Sequence, residues 1–287
     1  MKIISPDNLS CPLDSALLSY ENDKCLICEN GHSFDVARQG YVNLLPVQDK
    51  RSKSPGDTKD MVKARQEFLN LGYYKDIAAY TAHIVREALN EDQKNMILDA
   101  GCGEGYYLDY ILQELQQDAR NGQCGLIGYD ISKCAVIEAC KRNKADITWL
   151  VATNRRPPIV ANSLTQIISM FGFPVFDMFA QLLKADGQVL LVEAGNNHLL
   201  EIKQHIYSDI KPQTHASKIE AAEKAGFVMG EKRNLSYTAT LKHPDDFYHL
   251  LKMTPYFYKM YEEDKEALSK SCKSITIDVD FIIFHKA

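Results

Sequence analysis

No apolar run in this sequence reaches the ~18 residues that a membrane-crossing helix needs. None opens the chain either, because Met1-Lys2-Ile3-Ile4-Ser5-Pro6 gives way to Asp7 and Asn8 before a signal-peptide core could form. The expectation is a soluble, cytoplasmic protein with no membrane attachment. Excess positive charge is also missing. Lys and Arg number 33 against 38 Asp and Glu, a net charge of −5, so any nucleic-acid surface has to be a local patch. Internal repeats and low-complexity tracts are absent. What remains is an ordinary globular balance, 45% hydrophobic and 25% charged over 287 residues, enough to bury a large core.

Cysteine is not scarce. The chain has 8, and without an export signal these are not expected to form a disulfide framework. Cys11, Cys25 and Cys28 crowd the beginning, and His32 follows them. Cys102, Cys124, Cys134, Cys140 and Cys272 are scattered and read as small buried hydrophobes. Residues 1–45 therefore read as a small metal-stapled unit. They are rich in turn residues, with one strand-like stretch at Tyr41–Leu45, and too short to hold a core unaided.

Residues 46–60, with Pro46, Pro55 and Gly56, read as a linker. Met61, Ala64, Arg65, Phe68 and Leu71 then predict a helix from about Thr58, ended by Gly72. A second helix is expected over Asp76–Leu89. The stretch 50–65 is locally basic, with Lys50, Arg51, Lys53, Lys59, Lys63 and Arg65 set against Asp57 and Asp60. A charge run alone is more often a solvated surface than a binding site.

Beyond residue 90 the texture becomes strand alternating with helix. Short apolar runs at Met96–Ala100, Gly125–Asp130, Ile147–Ala152, Gln166–Phe171 and Gln188–Glu193 are separated by helical patterns such as Ser132–Arg142 and Val175–Leu183. Helices at His215–Ala225 and Asp245–Met253 and strands at Leu235–Leu241 and Ile277–Phe284 follow. Such alternation predicts an α/β, doubly wound, Rossmann-like parallel sheet.

The first of these strands ends in Asp99-Ala100-Gly101-Cys102-Gly103-Glu104-Gly105 and runs into a helix. Gly101 and Gly103 let a ligand approach the backbone, and the helix start offers unpaired amides. Asp130, at the end of the second strand, can accept both hydroxyls of a ribose. The loop is not G-x-G-x-x-G. D-x-G-x-G-x-G resembles the S-adenosylmethionine loop of class I methyltransferases, which makes that cofactor the expected ligand.

A narrower resemblance runs over nearly the whole length. It rests on Cys11-Pro12-Leu13, Cys28-x3-His32-x-Phe34-Asp35, Gly40-Tyr41-Val42-Asn43-Leu44-Leu45-Pro46, Lys50-Arg51-Ser52 and Pro55-Gly56-Asp57. Gly101–Tyr107, His198-Leu199 and Met253-Thr254-Pro255 complete it. These segments resemble the bacterial large-subunit (23S) ribosomal RNA (guanine-N1)-methyltransferases. The resemblance implies a zinc-finger-like RNA-recognition domain over 1–45, a basic linker with helices over 46–90, and an S-adenosylmethionine-binding domain over 91–287. It also implies cofactor contacts at Tyr74, Gly103, Glu104 and His198, beside Asp99, Gly101 and Asp130 of the loop constellation. Ribosomal RNA is the implied partner, with Lys50, Arg51 and Lys53 the phosphate contacts, and a homodimer is compatible with it.

Two stretches depart from the family pattern. The first metal knuckle is Cys11-x2-Asp14 in place of C-x2-C. Zinc accepts a carboxylate, so Cys11, Asp14, Cys28 and His32 could form a structural tetrahedral site. Cys25 as the fourth ligand, or loss of the metal, are the alternatives. Met170-Phe171-Gly172-Phe173-Pro174, where a target base would enter, also differs; its aromatics could stack on a flipped base or belong to the core. Guanine N1 must lose a proton before it attacks a methyl group, and the sequence marks no residue as that base. A small-molecule methyltransferase would leave the first 60 residues unexplained. An RNA-binding protein that has lost catalysis would not need Asp99, Gly101, Gly103 and Asp130.

Overall fold

The computed structural model describes residues 6–22, 24–50, 52–117 and 124–287. The chain begins with three short antiparallel strands, β1 (Leu18–Glu21), β2 (Cys25–Cys28) and β3 (Ser33–Asp35). Leu18 pairs with Cys28 and Cys25 with Asp35, so odd spacing along β2 turns Cys25 and Cys28 to opposite faces. These strands bury little by themselves. Leu9, Leu18, Leu26 and Cys28 share a core with Ile159 and the main sheet, and Ser10 N–H donates to the Pro158 carbonyl (3.0 Å).

β4 (Tyr41–Asn43) is the strand-like stretch expected within the first unit, but it pairs in parallel with a strand of the large sheet. Tyr41 and Val42 are both buried, and a strand apolar on both faces needs cover on both. The N-terminal unit's own sheet therefore stops at Asp35, ahead of residue 45.

α1 (Lys59–Asn70) starts where Thr58 Oγ1 accepts from Met61 N–H (3.3 Å), a side-chain N-cap. Gly72, at φ +84°, ends the turn that follows. α2 (Lys75–Glu87) buries Ile77, Ala78, Ala82, Ile84 and Val85. Next come β5 (Asn95–Ala100), α3 (Tyr106–Leu115), β6 (Cys124–Asp130), α4 (Lys133–Arg142), β7 (Thr148–Val151), β8 (Leu164–Met170), α5 (Phe176–Leu182) and β9 (Leu183–Ala194). α6 (Leu200–Ile206), α7 (Ala216–Lys224), β10 (Phe227–Thr240), α8 (Pro244–Lys252), α9 (Glu262–Ser271) and β11 (Ser274–Lys286) complete the chain.

The large sheet has 8 strands in the order β10-β11-β9-β8-β5-β6-β7-β4. β4 to β9 run parallel, and β11 lies antiparallel between β9 and β10. Strand order reverses beside β5, since β6 and β7 build to one side and β8 and β9 to the other. A crevice opens at such a switch point, at the carboxyl ends of the strands. β5 and β8 are buried along their whole lengths, as expected of central parallel strands. Two helices lay outside the sequence pattern. α6 is only two turns long, and α9 buries Lys265 and Ser269 in place of an apolar stripe, so it carries no periodic signal. Among the described residues no helix is long and apolar enough to cross a membrane.

Trp149 is the largest side chain of the core and sits against Gly128 of β6. A Cβ there would lie 2.7 Å from Trp149 Cε3 and 3.0 Å from Leu108 Cδ2. Gly128→Ala should therefore destabilise the chain by about 1–3 kcal/mol through overpacking. Thermal unfolding should fall by a few degrees, and an unchanged transition would mean that the indole is not packed this way.

Candidate active site and metal centre

The glycine loop is held to the sheet by the Tyr129 carbonyl, which accepts from Gly101 N–H and Cys102 N–H (both 2.9 Å). Gly101 sits at φ +97° and Gly103 at φ +55°, backbone that favours glycine. A Cβ added at Gly101 would meet nothing within 4 Å, so that side of the loop is open. Asp130 closes the other side. Its Oδ2 accepts from Gly103 N–H (3.0 Å) and its Oδ1 from Ser132 N–H (2.7 Å). Burial raises its pKa, and these two hydrogen bonds oppose that.

Asp99 lies below, 1% exposed, with Oδ1 lacking any hydrogen-bond partner. Burial, and then the Asp130 charge, push its carboxyl up to about 8. Ser169, at the carboxyl end of β8, is fully buried with an equally unpartnered Oγ. The switch point thus gathers polar atoms that the protein itself does not satisfy. Buried polar groups of that kind are uncommon and mark sites where a ligand or water completes the pairing.

The remaining expected cofactor contacts divide. Glu104 is buried, and its Oε2 is taken by Arg142 of α4, with Nε at 3.0 Å and Nη2 at 2.5 Å. Burial raises its pKa against the lowering effect of Arg142. Its side chain thus braces the loop against α4 through Oε2, while Oε1 stays buried without a hydrogen-bond partner, as Asp99 Oδ1 and Ser169 Oγ do. Tyr74, at the start of α2, and His198, in the loop after β9, come together with Oη and Nε2 3.2 Å apart. His198 Nδ1 accepts from Asp278 N–H (3.3 Å), which leaves the imidazole proton on Nε2, donated to Tyr74. Burial first, and then Lys203, push His198 down to about 4, so it is neutral at physiological pH. Phe171 stacks on His198 with ring centroids 5.8 Å apart.

The linker does not swing free of this cleft. Ser132 Oγ donates to the Asp57 carbonyl (2.8 Å), and a Cβ on Gly56 would lie 2.8 Å from Ser132 Cβ. The Asp57 carboxylate is ion-paired with Arg65, whose Nη1 is 3.8 Å from where a Gly103 Cβ would be. In the sequence Arg65 belongs to a helical stripe and a basic run, neither of which places it over the glycine loop, where the structure has it. Lys50 is half-buried and Lys53 exposed, neither in an ion pair among the described residues; Arg51 lies outside them.

At the N-terminal unit, Cys11, Asp14, Cys28 and His32 bring one donor atom each within 4.8 Å of one another. His32 Nδ1 is 3.5 Å from Cys11 Sγ, 3.4 Å from Cys28 Sγ and 3.0 Å from Asp14 Oδ2. Ligands bonded to zinc at ~2.0–2.3 Å and tetrahedral angles lie roughly 3.3–3.8 Å apart, so the donor set has the span and the chemistry for zinc. Asn30 Nδ2 (2.9 Å) and Ala16 N–H (3.0 Å) orient the Asp14 carboxylate and hold its pKa well below the usual range. Burial pushes the Cys11 thiol up to about 11, so its thiolate needs a cation beside it. Cys25 stands apart, on the other face of β2 beside Glu21 (Sγ–Oε2 3.7 Å).

Residues 9–53 match a family model for a zinc ribbon described as the N-terminal part of RlmA. Over 288 residues, 95% of each chain, the sequence is 31% identical to YxjB of Bacillus subtilis strain 168, named as a proposed 23S rRNA (guanine-N1)-methyltransferase. It is 33% identical over 194 residues to the 23S rRNA (guanine(748)-N1)-methyltransferase of Streptomyces fradiae, covering 68% of this chain and 66% of that one. Among solved structures, a chain from the complex of the Haloferax volcanii Trm112 methyltransferase activator with a methyltransferase superposes with a TM-score of 0.51. That match has 19% identity and covers 81% of this chain and 99% of that chain, a likeness of fold.

Protein purified without chelators should contain about one zinc per chain by elemental analysis, as a closed structural site does. Asp14→Ala should lower that content, and Cys25→Ser should leave it unchanged. Zinc loss in the Cys25 variant with retention in the Asp14 variant would reverse the ligand assignment.

Proposed function

The chain belongs to the 23S rRNA (guanine-N1)-methyltransferase family, and from that premise we propose that it moves a methyl group from S-adenosylmethionine to N1 of a guanine in 23S ribosomal RNA. The observation that carries the reading is the crevice itself. A loop open at Gly101 lies between an acid whose oxygens are set by loop amides, Asp130, and one with an unpaired buried oxygen, Asp99. Such a substrate implies a cytoplasmic enzyme.

The residues present fit the cofactor. A carboxylate offers about four lone-pair directions, so after its two amide bonds Asp130 keeps acceptor capacity for ribose hydroxyls. Gly101, Gly103 and the backbone of Glu104 would line the methionine portion, and the aromatic face of Tyr74 suits a cationic sulfonium. When bound, S-adenosylmethionine supplies an electrophilic methyl group. The protein's own part is to align the base, exclude water and remove the N1 proton. His198 is unsuited to the last task, since both ring nitrogens are engaged and its pKa is depressed to about 4. Its place is to orient Tyr74 and to support the Phe171 ring.

We assign RNA recognition to residues 1–45, with zinc held by Cys11, Asp14, Cys28 and His32 as a cross-link. Residues 46–90 contribute Lys50, Arg51 and Lys53 as phosphate contacts, and residues 91–287 carry out the transfer. Lys50 is half-buried with no ion pair among the described residues, which leaves its charge available to a phosphate.

In the free protein Asp99 is protonated below a pH of about 8. A cation bound in the crevice favours its carboxylate, so binding releases a proton. Affinity for S-adenosylmethionine should then rise with pH until about 8 and level off above, by up to about tenfold per unit. Titration calorimetry between pH 6 and 9 should find that slope in the parent and a flat profile for Asp99→Asn; two equally flat profiles would remove Asp99 from the site.

The function itself is tested by incubating the protein with S-adenosylmethionine and an unmodified 23S rRNA transcript and identifying the methylated nucleoside. The product should be 1-methylguanosine, and a different one would reject the reading. In the same system Lys50→Ala with Lys53→Ala should flatten the salt dependence of RNA binding, each lost phosphate contact lowering the log–log slope by about 0.7–0.9. Unchanged slopes would take those residues off the RNA path.

A further inference from the structure

The loop after β8 separates two phenylalanines that the sequence leaves equivalent. Phe171, at φ +50°, turns its ring onto His198 beside Tyr74. Phe173, two residues on, is 88% exposed. An exposed aromatic ring alone is unremarkable on a protein surface. Here, however, the backbone that carries it is pinned at three successive residues. Phe171 N–H donates to the Val192 carbonyl (2.8 Å), Lys218 Nζ donates to the Gly172 carbonyl (3.1 Å), and Asn154 Nδ2 donates to the Phe173 carbonyl (2.8 Å). Those partners come from β9, α7 and the turn after β7. Asn154 is itself fixed by the buried Tyr129 hydroxyl (2.7 Å), and Pro174 stiffens the next step. The ring is held out in water by a rigid support at the rim of the crevice.

Its surroundings indicate the occupant. Arg155 and Arg156 are exposed in the same turn as Asn154. Arg156 Nη1 reaches the Pro12 carbonyl (3.5 Å), inside the metal knuckle, and lies 4.0 Å from Asp49 Oδ2 of the linker. Arg155 has no ion pair among the described residues. A strip of cationic and aromatic groups therefore runs from the metal cluster, over Arg156 and Arg155, to Phe173 and the mouth of the crevice. Cations tracking a backbone beside a ring that accepts any base face are the chemistry of unpaired RNA recognition.

Resting on the methyltransferase reading above, we propose that Phe173 is an RNA wedge, stacking on the nucleobase beside the target guanine while the guanine itself enters the crevice against Phe171. Taking a base out of its stack exposes the faces of its neighbours, and a fixed aromatic ring covers one of them. Arg155 holds the adjoining phosphate.

The test uses the full chain and an unmodified 23S rRNA transcript. Phe173→Ala, a surface change that leaves the fold intact, should lower kcat/KM for the transcript by roughly five- to hundredfold, the range for one lost base–aromatic stack. It should leave both S-adenosylmethionine affinity and the salt slope of RNA binding unchanged. Arg155→Ala should instead reduce that slope. Phe173→Trp should retain activity and adds an exposed indole to a chain whose one tryptophan, Trp149, is buried; its emission should be quenched as the transcript binds. A Phe173→Ala enzyme with the parent's kcat/KM would overturn the wedge. If the parent binds S-adenosylmethionine but does not methylate the transcript, the methyltransferase reading is what fails. The wedge is then decided by emission alone, with quenching supporting it and an unchanged spectrum rejecting it.

Discussion

Two backbone amides bind the Asp130 carboxylate, and most of the site depends on that pair of hydrogen bonds. Gly103 N–H fixes the glycine loop to one oxygen, and Ser132 N–H fixes the start of α4 to the other. Ser132 Oγ then carries the connection to the Asp57 carbonyl, and Asp57 to Arg65 over the loop. One acidic residue at the end of β6 thereby joins cofactor loop, helix and linker. Hydrogen bonds to a charged acceptor are the stronger kind, and they offset the desolvation that raises the Asp130 pKa. Moving the carboxylate would release all three segments together.

That arrangement gives the basic linker a physical reason to exist. Its chain passes from the metal-bearing unit to α1 while touching the residues that frame the crevice. Gly56 fits because no side chain could stand 2.8 Å from Ser132. RNA held along the linker and along Arg155 and Arg156 would thus approach an already ordered cleft. A small-molecule enzyme would have no use for this belt, nor for a four-donor cluster at its far end.

Much of this was legible in the sequence, for reasons that the structure makes plain. β5, β6 and β8 are buried on both faces, so they read as apolar runs, and glycines at positive φ have few substitutes, so the loop reads as a loop. The odd spacing of Cys25 and Cys28 puts them on opposite faces of β2 because strand geometry has a period of two. Long-range pairings were not legible. Nothing in Tyr41-Val42-Asn43 says that its partner is Trp149-Leu150-Val151, a hundred residues on. Glu104 could be read as a loop residue, but not as the partner of Arg142, which belongs to another helix. Phe171 and Phe173 look alike in sequence, and only the structure shows that one ring stacks on His198 while the other stands 88% exposed.

The central claim is that this crevice methylates guanine N1 in 23S rRNA inside the cell. It is tested most directly by nucleoside mass spectrometry of 23S rRNA fragments from a strain lacking the gene. In that strain a fragment that otherwise bears 1-methylguanosine should lose its methyl group. The parent gene should restore that methyl group and the Asp130→Ala gene should not. A complete set of methylated guanines in the deletion strain, or loss of a methyl group from any position other than guanine N1, would contradict it.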